Sequence, residues 1–218
     1  MKIILFFITL SFFSFHSKAQ SESEISYEVR KEITEKLHEV HIKDQENRLK
    51  INDVAAKYGW DSKEMKDFWE EISQQDEKNF IIVKEILDKY GWVGSNKIGS
   101  EANTTLFLVI QHANLEKQVK YLPMLREATK NGNADLQSLA LLEDRVLLAS
   151  GKKQLYGTQI GRDPKTNTYF VQPLEDPDNV DKRRVEMKME PIASYVKTWH
   201  IAWDVEEYKK DLKLKEKN

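Results

Sequence analysis

Apolar residues in the first half of the chain return at intervals of three and four. Ile25, Val29, Ile33, Leu37 and Val40 make one stripe among charged neighbours, the pattern of a helix with a single buried face. Ser21 and Glu24 stand before it at capping-box spacing. The stripe runs on less clearly through Leu49, Ile51 and Val54 to Gly59. A second helix is predicted from Asp61, with Glu64 as its capping partner, through Met65, Phe68, Ile72, Val83, Ile86 and Leu87 to a stop at Gly91. Residues 91–99 read as a loop. Residues 100–113 read as a helix whose centre, Leu106-Phe-Leu-Val-Ile110, is apolar on every side, and a helix without a polar face belongs at the centre of a fold. A further helix spans residues 115–130, bent or restarted at Pro123. Asn133 can cap another, which runs to about Ala149 and stops at Gly151.

The texture then changes. Residues 154–160 and 168–172 alternate like short strands around the turn-forming run Arg162-Asp-Pro-Lys-Thr-Asn167, which predicts a β-hairpin. An acidic loop over 174–179 leads to two short helices, residues 180–187 and 191–203, with Pro191 at a first helical position. The fold class is therefore α+β and predominantly α-helical, with one small β-hairpin near residues 154–172. The stretches ending Lys57-Tyr-Gly-Trp60 and Lys89-Tyr-Gly-Trp92 echo each other, and read as two helices with the same stop rather than as a solenoid.

Composition adds a compartment. Lys2, the apolar stretch from Ile3 to Phe15 and Ser17-Lys18-Ala19 have the form of a signal peptide cleaved after Ala19. Residues 1–19 are thus expected to be a leader, 20–207 one globular domain and 208–218 a charged, frayed tail. Export to the periplasm or outside the cell follows. The absence of cysteine fits an oxidising compartment and excludes disulfides, Cys–zinc sites and thiol nucleophiles. Losing Lys2 and Lys18 takes the formal charge from −2 to −4, which gives no electrostatic case for nucleic acid. No second apolar run approaches a membrane span, so a soluble mature chain with no membrane contact is expected.

Several short motifs occur together: Asp44-Gln-x-x-Arg48, Asp76-x-x-Asn79, Tyr90-Gly-Trp92, Gln111-His-Ala113, Asp144-Arg145, Gln154-x-Tyr-Gly-Thr-Gln159 and Arg183-Arg184. In this order they resemble a bacterial family known as domain of unknown function six-six-two-four. Many members have Gly-Trp-Pro where this chain has Val93 after Trp92. The resemblance implies a shared fold and a shared constellation of residues, and brings no activity with it.

The candidate chemistry gathers around residues 139–159. Glu143, Asp144 and Arg145 lie in a helix that is apolar on nearly every face. Successive residues turn by roughly 100°, so at least one of the three charges must point inward and be paired. Arg145 could hold a carboxylate such as Asp44 or Asp76. His112 ends the apolar central helix and is the histidine best suited to acid–base work. Gln154, Tyr156 and Thr158 on one strand face, with Gln159 and the helical Gln111, could wall a cleft for a neutral or anionic polar ligand. Three functions follow. One is ligand binding, with Arg145 as the charged anchor. Another is a hydrolase or lyase of envelope or extracellular material, with His112 as base, Asp144 orienting it and Tyr156 or Gln159 stabilising charge. The last is a structural or partner-binding role in which Asp144 and Arg145 form a buried network. His38, His41 and Asp44 could share a zinc ion, but no second motif supports one. With no Gly-rich phosphate loop and no Gly-x-Ser-x-Gly elbow, neither metal nor cofactor is expected. Oligomeric state is not encoded in the pattern.

Overall fold

The computed structural model describes residues 25–215. The expected leader lies outside them. Helix α1, Tyr27–Arg48, starts at Ser26, whose hydroxyl accepts from the Val29 amide. The expected continuation is a separate helix, α2, Ile51–Tyr58, after a break at Leu49 and Lys50. Helix α3, Lys63–Tyr90, is 28 residues long, about 42 Å at 1.5 Å per residue. Its cap is Ser62, one place past the predicted Asp61, with the Ser62 hydroxyl 3.0 Å from the Met65 amide. Gly91 ends it at φ 68°, a conformation that favours glycine. The predicted loop over 91–99 contains one helical turn, α4, Ser95–Ile98.

Helix α5, Ser100–His112, is the centre, as its all-round apolar middle predicts. Ala102, Asn103, Thr105, Leu106, Phe107, Val109, Ile110 and Gln111 are buried in it, and it touches α1, α3, α4, α6 and α7. Helix α6, Leu115–Lys130, keeps Pro123 inside one helix rather than restarting there. Helix α7, Leu136–Ala149, begins after Asp135, not at the predicted Asn133 cap. The Asn133 carbonyl instead accepts from the buried Asn103 side chain, which also reaches the Val93 carbonyl.

The hairpin is smaller than predicted. Strands β1, Ile160–Arg162, and β2, Tyr169–Val171, pair antiparallel with Ile160 opposite Val171. Residues 154–159 carry no strand beyond one isolated bridge between Gln154 and Leu174. Beyond the hairpin come α8, Val180–Glu186, and α9, Ile192–Tyr195, the latter followed by a tight helical turn over Val196–Trp199. The expected frayed tail is helical as far as described: α10, Val205–Lys215. Its Tyr208 side chain packs against a small apolar cluster of Val171, Leu174, Val180, Ile192 and Val196. The larger cluster joins α1, α3, α5, α6 and α7 through Leu37, Val83, Leu106, Ile110, Leu125 and Leu142. Among the described residues no helix is long and apolar enough to cross a membrane.

Candidate functional site

Asp144 is the inward-pointing charge of the three on α7, and it is fully buried. Its carboxylate receives the amides of Leu155 at 2.6 Å, Tyr156 at 3.0 Å and Thr158 at 3.0 Å, and the Thr158 hydroxyl at 2.9 Å. Burial pushes its pKa up, while the donors from Thr158, Leu155 and Tyr156 pull the other way. The carbonyls of the same segment are met from the opposite side. Arg183 donates to Leu155 at 2.7 Å, Arg184 to Tyr156 at 2.7 Å and the Tyr195 hydroxyl to Thr158 at 2.9 Å. Leu155, Tyr156 and Thr158 thus have their backbone groups paired with side chains instead of a neighbouring strand.

That arrangement corrects the expectation of a polar strand face walling a cleft. The Gln154 amide is buried and closes the turn, donating to the carbonyls of Gln159 and Gln172 and accepting from the Gln159 amide. Gln159 reaches the Thr158 hydroxyl at 3.0 Å. The Tyr156 hydroxyl donates to Glu143 at 3.0 Å, and Glu143 in turn holds Arg126. Burial, with Glu143 beside it, raises the Tyr156 pKa far above the usual phenol value. Asp144 does not orient His112, and it does not pair with Arg145. Arg183 and Arg184 hold backbone carbonyls, although Arg183 also lies 3.5 Å from Asp176.

A second polar cluster forms where α1, α3, α5 and α7 meet. His112, the last residue of α5, places Nδ1 3.0 Å from Asp44 Oδ1. An ionised carboxylate only accepts, so the His112 Nδ1 donates its hydrogen to Asp44. Asp44 is buried. Burial would raise its pKa, but the bond and charge of His112 and the charge of Arg48 outweigh that and hold it below the ordinary aspartate value. Arg48 lies one turn along α1. Its Nη1 reaches the Asp44 carbonyl at 2.8 Å and Oδ1 at 3.3 Å, and its Nη2 meets both oxygens of Asp76 at 2.8 Å. The carboxylates expected for Arg145 are therefore taken by Arg48. In the sequence Asp44 and Asp76 stand out only as possible partners of Arg145, or of zinc for Asp44, and Arg48 only within a resembling motif; the four-residue spacing of Asp44 and Arg48 is the further signal.

Among the described residues Arg145 is left without a carboxylate. Its Nη1 donates to the Gln111 carbonyl at 3.0 Å, and its Nε is buried with no partner. Burial, followed by the charge of Arg48, lowers its pKa. The Gln118 amide donates to the same Gln111 carbonyl at 2.9 Å. The side-chain oxygens of Gln111 and Gln118 and the amide nitrogen of Asn79 are also buried without partners. Gln111, His112 and Arg145 are thus brought together, while Asp144, Gln154, Thr158 and Gln159 belong to the separate clamp.

Asp44, Asp76 and His112 each offer one donor atom within 4.8 Å of the others, as a metal site requires. Arg48 already lies across both carboxylates, and Arg145 is close enough to feel its charge. A divalent ion on these atoms would have to displace the Arg48 guanidinium from both carboxylates. His38 and His41, read from their spacing as sharing a helix face, both turn toward α5, His38 to Glu101 and His41 to the Thr105 hydroxyl.

These features define a mainly helical α+β protein with two polar assemblies, a buried backbone clamp and a partly buried Asp–His–Arg cluster. The chain belongs to the family of unknown function DUF6624, whose family profile matches residues 32–207. Both assemblies fall inside that span. No curated protein matches the chain. No solved structure matches it.

Proposed function

We propose that the protein binds a small oxyanion at the junction of α5 and α7, with Arg145 as its charged anchor. The observation that carries this reading is the unpaired guanidinium. A cation in a largely buried position needs a counter-charge or a full set of acceptors. Arg145 has one carbonyl on Nη1 and nothing on Nε. Nε and Nη2 together form the planar fork that grips a carboxylate or phosphate through two oxygens. Titration calorimetry of the purified chain with inorganic phosphate and with citrate tests this. Arg145→Gln should weaken binding at least about tenfold, the loss of one charge-assisted pair, and Arg145→Lys should recover part of it. Absence of binding by either anion would remove the reading.

A second reading is favoured by the Asp44–His112 pair. A carboxylate on Nδ1 fixes the imidazole so that Nε2 can take a proton, the arrangement of a general base. The protein would then be a hydrolase or lyase acting on envelope or extracellular material, since residues 1–19 read as an export leader. Asp44 takes the orienting role first given to Asp144. Turnover of p-nitrophenyl phosphate that disappears in His112→Gln while phosphate still binds would support it. Equal rates in the two proteins would end it.

A further inference from the structure

A cleft of about 450 Å³ opens between strand β2 and helix α10, far in sequence from the Arg145 cluster. Tyr169, Phe170, Trp203 and Tyr208 line it. The Trp203 and Tyr208 rings stand 5.1 Å apart, tilted by 38°. Tyr208 is fixed in place, because its hydroxyl accepts from the Leu174 amide at 2.7 Å and donates to the Gln172 carbonyl at 3.0 Å. Phe170 lies over Gly161 on the opposite strand, where a Cβ would come within 2.5 Å of its ring. The aromatic wall is therefore held by the hairpin and the last helix, not by the ligand.

The rim has one sign of charge. Asp204, Glu207 and Asp211 line the cleft at spacings of three and four, and among the described residues no lysine, arginine or histidine does. Asp204 is partly engaged, accepting the amides of Glu206 and Glu207 at 2.9 Å. Glu207 and Asp211 are exposed and have no cationic partner among the described residues. The neighbouring Lys209 is turned away to Asp178 and Glu206.

We propose that this cleft binds a small organic cation, an alkylammonium group carried on an apolar body. Ring faces attract cations through their quadrupole, and unpaired carboxylates at the mouth add attraction of the same sign. The volume lies in the range of small-ligand sites. An anion would be repelled by the rim. A neutral sugar could stack on Trp203 but would leave the carboxylates without a counter-charge.

Titration calorimetry of the full mature chain with choline, and with 3,3-dimethyl-1-butanol as its uncharged counterpart of the same shape, separates charge from shape. Choline should bind about tenfold or more tightly than the alcohol. The double variant Glu207→Gln, Asp211→Asn should weaken choline several-fold and leave the alcohol unchanged. Both substitutions are at exposed positions, so the melting temperature should hold. Trp203→Leu should weaken both probes. The proposal is overturned if choline fails to bind, if the two probes bind equally, or if the double variant binds choline as the parent does. Preferential binding of methyl β-glucoside would overturn it in favour of a sugar.

Discussion

Two neighbouring residues on α7 carry opposite consequences for stability. Asp144 satisfies four donors in a site with no access to water. Asp144→Asn would turn an amide NH2 toward those donors, and a loss of about 3 kcal/mol is expected, since unpaired buried groups carry their full desolvation cost. Arg145→Gln removes a charge that lacks a carboxylate, so stability should stay level or rise by a few tenths to about 1 kcal/mol. Urea unfolding of both variants checks the contrast, and equal heavy losses would mean that Arg145 is also structural. The sequence made part of this legible. Three consecutive charges in an apolar helix required one to be buried and paired. It could not say which one, because apolar residues on every face leave the helix without a readable phase. The partners of Asp144 are backbone amides, which no side-chain pattern reveals.

Whole elements were legible where one period dominated over a long stretch. The stripes of α1 and α3 and the all-apolar centre of α5 gave their positions and the central place of α5. The segment at residues 154–159 misled because its polar–apolar alternation fits a strand. Gly157, at φ 69°, breaks the extended run, and Asp144, Arg183 and Arg184 supply the bonds that a neighbouring strand would have made. α10 was missed for a related reason. Its Lys/Glu-rich composition resembles a solvated tail, and Tyr208 is what ties it to the apolar cluster. Two outcomes follow. The amides of Leu155, Tyr156 and Thr158 should exchange slowly with deuterium although they lie outside every helix and strand. Gly157→Ala should cost about 2 kcal/mol, since a side chain at positive φ is strained and its Cβ would stand 2.6 Å from Ile192 Cδ1. The same variant should release those three amides, and protection that survives it would show that the clamp does not depend on the turn.

On the scale of the molecule, the Asp44 cluster joins the helices that surround α5. Arg48 reaches from α1 to α3, and Asp44 from α1 to the end of α5. The sequence placed these residues on separate helices at different distances along the chain. Only the packing of α1 on α3 and α5 brings them into one ionic group, so the motif could be quoted before its geometry was known. The depressed pKa of Asp44 makes that junction sensitive to acid. In the unfolded chain the carboxyl titrates near 3.8. In the fold it titrates lower, because the hydrogen bond from His112, with the charges of His112 and Arg48, outweighs its burial. The ionised form is therefore favoured by folding. Its contribution is complete above 3.8 and disappears as pH falls through the lower folded value. Asp44→Asn should lower stability at neutral pH by about 3 kcal/mol, the effect of leaving Arg48 and His112 without their shared carboxylate. The deficit should shrink as the solution is taken from about pH 7 to about pH 2.5, because the parent then loses what the variant never had. Guanidinium unfolding of both proteins across that range measures it, and a deficit that stays constant with pH would show that the Asp44 carboxylate is not the charge that holds α1 to α5.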